Sequence, residues 1–212
     1  MEIFNVNRQA YQHLGRMTYT NLPSPSTVPE GTRATLYGWT APEADWVVSG
    51  GYWLPVGGRA IVHAPVLVNA QAQSATLALV ASVPRWTLPA NLAATPRLMI
   101  EAWARATVNA PSNAQSRLLY IGTNSVQNAI ATHSASSTAT GHRVWGELVK
   151  MNSGDWQTFA NNAQPLSVGT GQNPTTNAQL LSSPIGLYYQ GGNTGGSEVL
   201  TVQSFSIAVG VG

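Results

Sequence analysis

Between residues 97 and 107 the chain alternates with a period of two. Leu98, Ile100, Ala102, Ala104 and Ala106 fall on one side, and Met99, Glu101, Trp103, Arg105 and Thr107 on the other. A helix, turning about 100° per residue, would scatter both sets around its surface. A strand sorts them onto two faces, one apolar throughout and one amphipathic. The apolar face requires a core, and the amphipathic face meets water or a neighbouring subunit. Runs of similar character span 74–83, 116–122, 142–151, 156–160, 164–168, 184–190 and 198–209, separated by loops such as 109–113 and 169–174. This rhythm predicts an all-β fold whose larger part is a β-sandwich or jelly roll.

The first third is built on a shorter scale. Strands are expected over 33–39, 45–48, 52–56 and 59–63, with a hairpin at Ser49-Gly50-Gly51 and a turn at Gly57-Gly58. Together they predict a small β-meander, with Trp39, Trp46 and Trp53 as its core. Ahead of it, Pro23, Pro25 and Pro29 fall within seven residues, which predicts an extended arm over 21–31 that ends in the Pro29-Glu30-Gly31 turn. Residues 8–14 are compatible with two helical turns. The expected division is an N-terminal arm and small β anchor domain over 1–63, then a jelly-roll-like sandwich over 64–212. The low-complexity stretch 129–141 reads as a mobile loop.

Charge is scarce: 8% of the 212 residues are Asp, Glu, Lys or Arg, against about 25% in an average soluble protein. The polar surface must come from Ser, Thr, Asn, Gln and Gly, a composition typical of extracellular β-proteins. Ten basic residues stand against eight acidic ones, and the nine Arg are scattered. With no basic cluster, nucleic acid is not an expected partner. The absence of Cys excludes disulfides, thiolate metal sites and Cys nucleophiles. The first residues lack the apolar core of a secretion signal. The longest apolar run, 75–83, is less than half of the ~20 residues a membrane helix needs. Synthesis in a cytoplasm and no membrane insertion are therefore expected.

Chemistry-bearing patterns are few. The four His (His13, His63, His133 and His142) show no metal-ligand spacing, so no metal and no cofactor is expected. No nucleophile elbow and no phosphate-binding loop is present. Gly191-Gly192-Asn193-Thr194-Gly195-Gly196 lies between two strands and reads as a hairpin. Glu101 and Glu147, with Trp103 and Trp145 near them, would have to converge to make a glycosidase acid pair. Isolated surface acids near Arg105 and Arg143 are the favoured reading, so no catalytic residue is assigned. Trp103 and Trp145 remain as exposed contacts for a glycan or a partner. Tyr188 joins them, because alternation over 184–190 sends it opposite Ile185, Leu187 and Tyr189.

The segment Leu22-Pro23-Ser24-Pro25-Ser26-Thr27-Val28-Pro29-Glu30-Gly31-Thr32-Arg33-Ala34 resembles one common in tailed-bacteriophage virion proteins of the tail-fibre and head-fibre type. Trp53-Leu54-Pro55-Val56-Gly57-Gly58-Arg59 resembles the turn that follows it there. Leu200, Phe205, Ile207 and Val209 match the last strand of the β-sandwich that often comes next. The resemblance covers most of residues 20–63 and is diffuse beyond. It implies a non-enzymatic, homo-oligomeric surface appendage, usually a trimer, on the phage particle. Expected partners are other virion proteins of the capsid or tail and a bacterial surface glycan. Leu22, Pro23, Pro25, Val28 and Pro29 would form the virion-attachment arm. A free carbohydrate-binding module is the alternative.

Overall fold

The computed structural model describes residues 12–38, 41–68, 70–72, 76–109, 117–123, 129–135, 141–151, 156–160, 183–191 and 198–212. Over these residues the protein is all-β, in three sheets. The first sheet holds β1 (His13–Thr18), β2 (Arg33–Tyr37), β3 (Ala44–Ser49) and β4 (Tyr52–Pro55), in that order. β1 lies parallel to β2 and the other pairings are antiparallel. Gly50 and Gly51, at φ of 60° and 79°, make the two-residue turn between β3 and β4. Two successive positive φ angles match the twist of a hairpin, and glycine adopts them without a Cβ penalty. Trp46 and Trp53 are fully buried on one face of this hairpin, with Tyr19 edge-on to Trp46 at 5.7 Å.

The second sheet is larger. It contains β5 (Arg59–His63), β6 (Gln71–Ala72), β8 (Leu98–Asn109), β11 (Gly141–Lys150), β12 (Trp156–Ala160) and β14 (Val199–Val211). Its order is β12-β11-β8-β14-β5, with β6 also on β14. The third sheet runs β10 (Ala129–Ala135), β9 (Arg117–Gly122), β13 (Gly186–Gln190) and β7 (Ala78–Leu79). A short helix, α1 (Ala90–Ala93), precedes β8.

The second and third sheets form the sandwich. Between them lie Ile100, Ala102 and Ala104 of β8, Val144 and Leu148 of β11, Phe205, Ile207 and Val209 of β14, Leu119 and Ile121 of β9, and Leu187 and Tyr189 of β13. The layers come close where Gly146 on β11 meets Ile130 and Ala131 on β10; a Cβ on Gly146 would lie 2.7 Å from that of Ala131.

Two bulges set which side chains face inward. On β14 the register shifts between Val202 and Ser204. Leu200 and Val202 point into the core before it, and Phe205, Ile207 and Val209 after it. On β5 the register shifts where His63 pairs Ile207 and Ile61 pairs Ala208, so Val62 and His63 are both buried.

Several expectations change. β5 does not complete the N-terminal meander; it pairs with β14, so the expected division at residue 63 falls after a strand that already belongs to the sandwich. The 21–31 segment is not extended throughout, because Pro25–Thr27 form a 3-10 turn that proline tolerates at its first position. His13 and Leu14 start a strand rather than end a helix. Residues 129–135, expected as part of a mobile loop, are β10, paired antiparallel along β9. Of the 74–83 run, only Ala78–Leu79 is a strand among the described residues. Trp39 and the predicted 164–168 strand lie outside the described residues, as do most of the expected 191–196 hairpin and of the helical turns at 8–14.

Candidate functional site

The outward face of the second sheet carries the residues singled out by the sequence. β8 and β11 run antiparallel with Glu101 opposite Glu147, Trp103 opposite Trp145, and Arg105 opposite Arg143. Three like pairs therefore stand as successive rungs of one ladder: acidic, aromatic and basic. Trp103 and Trp145 are half-buried, and Arg105 and Arg143 are exposed.

Glu101 is only 9% exposed although it faces outward. Its partner is Arg59 on β5, whose guanidinium forms an ion pair with it and also lies 5.4 Å from the centre of the Trp103 ring. Arg59 sits opposite Gly210, and Ala208 sits opposite Glu101, so the side chain must pass over β14 to reach β8. That is a span of two strand spacings, about 9.6 Å. The crossing is open because Ala208 and Gly210 raise nothing in its way. A Cβ on Gly210 would come within 2.9 Å of the Gly58 carbonyl oxygen and 3.2 Å of Met99 Cε.

Glu147 forms no ion pair among the described residues. Its carboxyl is held above the usual range, chiefly by desolvation and secondarily by the nearby Glu101 charge, with Arg59 opposing both. Arg105 and Arg143 likewise form no ion pair among the described residues. The face is thus negative at one end, positive at the other and aromatic between.

Tyr188, expected to be exposed, is buried at 7%. Alternation places it on the other side from the core residues Leu187 and Tyr189, but that side is covered as well. Its ring stands edge-on to Tyr120 at 5.4 Å and its hydroxyl donates to the Thr123 carbonyl. It is a packing residue and not a surface contact.

The supposed arm is docked on its own body. Leu22 is buried, Pro23, Pro25 and Val28 are half-buried, and only Pro29 of the five is exposed. Trp53 Nε1 donates to the Pro23 carbonyl at 2.9 Å, and Asn91 Nδ2 donates to the Leu22 carbonyl. Extended backbone around Leu22 is therefore already paired within the chain and is not free to pair elsewhere.

A concave feature elsewhere escapes sequence reasoning, because its walls come from distant segments. A cavity of about 510 Å³ opens between the first sheet and the sandwich; Tyr19, Tyr37, Val62, His63, Arg85 and Trp86 are among its lining residues. Arg16 stands over the Tyr37 ring at 4.5 Å and is bridged to Glu43 at 2.5 Å. His63 bonds the Pro84 carbonyl at 2.9 Å, and burial pulls its imidazole below the ordinary value, so it is neutral at pH 7. Burial pushes the Tyr19 hydroxyl up to about 12. The cavity is apolar and aromatic on its walls, with one guanidinium, Arg85. Among the described residues no group of three or more His, Cys, Asp or Glu is placed to hold a metal ion. None of their helices is long and apolar enough to cross a membrane.

No protein-family model matches the chain, and no curated protein does. Among solved structures, Trypanosoma rangeli sialidase aligns at 11% identity and a TM-score of 0.30, over 84% of this chain and 42% of its own. The same enzyme in complex with sialic acid aligns at 15% identity and a TM-score of 0.30, over 85% of this chain and 31% of its own. The chain thus spans less than half the length of these structures, and a likeness this loose carries no argument.

Proposed function

We propose that this protein is a non-enzymatic, homo-oligomeric surface component of a tailed-phage virion, attached to the particle through its N-terminal unit. The observation that carries the reading is that both segments resembling virion proteins fold against each other. Residues 22–34 and 53–59 meet through the Trp53 bond to Pro23 and the burial of Leu22, Ala34 and Trp53. A shared scaffold is what two motifs that recur together should build. The attachment surface is then the exposed side of this unit: Ser24, Ser26, Pro29 and Glu30, beside the Gly50–Gly51 turn to which Glu30 is bonded.

Capsid decoration and a short tail appendage remain the two forms of this reading. The test is a quantitative gel of purified particles. Hundreds of copies per particle assign a decoration protein, a few tens or fewer assign a tail or neck appendage, and absence from particles overturns the reading.

The aromatic rung of Trp103 and Trp145 favours a second reading, a carbohydrate-binding module. Flat indole faces on one sheet suit the apolar faces of sugar rings. Oligosaccharide binding that is lost in Trp103→Ala and Trp145→Ala would support it. Turnover of a bound glycan that is lost in Glu101→Gln or Glu147→Gln would instead indicate a hydrolase.

A further inference from the structure

The ladder on β8 and β11 places like charges directly opposite one another twice, Glu101 against Glu147 and Arg105 against Arg143. Directly opposed like charges destabilise a sheet. Exchanging Arg143 with Glu147 would give two favourable cross-strand pairs, yet the chain separates its charges instead. Arg59 offsets the acidic end in part; nothing among the described residues offsets the basic end.

We infer that this face binds a second copy of the chain across a two-fold axis that lies in the interface plane, perpendicular to β8 and β11, at the level of Trp103 and Trp145. That operation turns the second copy over and reverses its strands. Arg143 and Arg105 of one copy then stand over Glu147 and Glu101 of the other, and the aromatic rungs meet at the axis. The spacing supports it: on each strand the Trp lies midway between its Arg and its Glu, two residues from either. An axis along the strands would instead set Arg over Arg and Glu over Glu, so the charge pattern selects one of the two geometries.

The same operation is self-complementary, as a two-fold contact must be. Trp at the centre and Arg beside it match the composition of interface cores. The area is adequate: five strands of five to thirteen residues, 45 residues in all, at ~4.8 Å spacing and ~3.3 Å rise give a face on the order of 700 Å², near the ~800 Å² per partner of a stable interface. The contact would form whether or not the protein sits on a virion, so the two readings fail separately.

Sedimentation of the purified chain at tens of micromolar tests it. The expected mass is twice 22.4 kDa. Arg143→Glu and Glu147→Arg should each sediment as monomers, because each sets like charges against each other across the axis. An equimolar mixture should recover the doubled mass, because the acid introduced by the first substitution then faces the base introduced by the second. Circular dichroism shows whether each variant is folded. Because the chain has no Cys, a second arm uses Ser206→Cys, at the axis level opposite Trp103, and Thr107→Cys, four residues from it. A short bis-maleimide should join two copies through position 206 and not through 107. A parent chain that is monomeric, a trimer, folded single variants that stay dimeric, or a mixture that stays monomeric overturns the inference. So does a monomer whose Trp fluorescence shifts on adding oligosaccharide, which gives the face to a glycan.

Discussion

Gly146→Ala should force the sandwich apart where β11 and β10 come close. A Cβ at this position would strike the Ile130 carbonyl oxygen and approach Ala131 Cβ to 2.7 Å. Backbone and a neighbouring Cβ cannot rotate away, so β10 must retreat by about 1 Å to restore ordinary contact, a gap that forfeits a quarter to a half of each dispersion well it opens. Overpacking of this kind costs about 1–3 kcal/mol, against a gain of roughly 0.5–1 kcal/mol for removing a glycine from a strand. The net expectation is a loss of about 1 kcal/mol, a fall in Tm of roughly 2–4 °C for a chain of this size. Gly141→Ala is the control. It lies at the start of the same strand with nothing within 4 Å of a Cβ, so it should leave Tm unchanged or raise it slightly. Calorimetry of the three chains at one protein concentration decides. A Gly146→Ala chain as stable as the parent, or a Gly141→Ala chain equally damaged, refutes the close approach of β10 and β11.

Arg59→Ala leaves Glu101 buried beside Glu147 without its cation. Because Arg59 is about half exposed, the expected loss at pH 7 is discounted to about 1–2 kcal/mol, read by urea unfolding, and should shrink in a Glu101→Gln background. His63 has a depressed folded pKa, so the unfolded chain takes up the proton first as pH falls below about 6.5. The parent should therefore lose stability relative to His63→Gln between pH 7 and pH 5, and a constant difference would contradict the burial of a neutral imidazole. Trp53→Phe keeps an aromatic ring but strands the Pro23 carbonyl, which should cost about 1–2 kcal/mol in the same assay. Arg97 holds φ at 54° just before β8, so Arg97→Gly should raise stability by about 0.5 kcal/mol once the looser unfolded chain is allowed for.

Patterns that reside in one strand were readable from the sequence, and relations between strands were not. Period-two alternation located β8 and its inward face, and two adjacent glycines located the β3–β4 hairpin. The bulge in β14 also left a trace, since Leu200 and Phe205 are an odd number of positions apart and still share the core. β5 gave no such trace: its short apolar alternation fits either sheet, and only tertiary pairing assigns it to β14. Tyr188 shows a related limit. Alternation gives the side of the sheet but not whether that side is covered. The charge ladder depends on the register between β8 and β11, strands more than thirty residues apart, and Arg59 joins it across a third strand.

The position of β14 has a consequence for how the chain is made. It is an interior strand of the largest sheet, flanked by β8 on one side and by β5 and β6 on the other. A ribosome releases β5 first and β14 last of these four, about 135 residues later, or roughly 7–27 s at ~5–20 residues per second. For that interval β5, and for its later part β8 also, exists without the strand that joins them, each with an unpaired edge and an apolar face. The first sheet, whose pairings all lie within residues 13–55, has no such wait. Synthesis therefore separates an early, local folding event from a late one that awaits β14, and crowding of nascent chains on one message threatens the second event far more than the first.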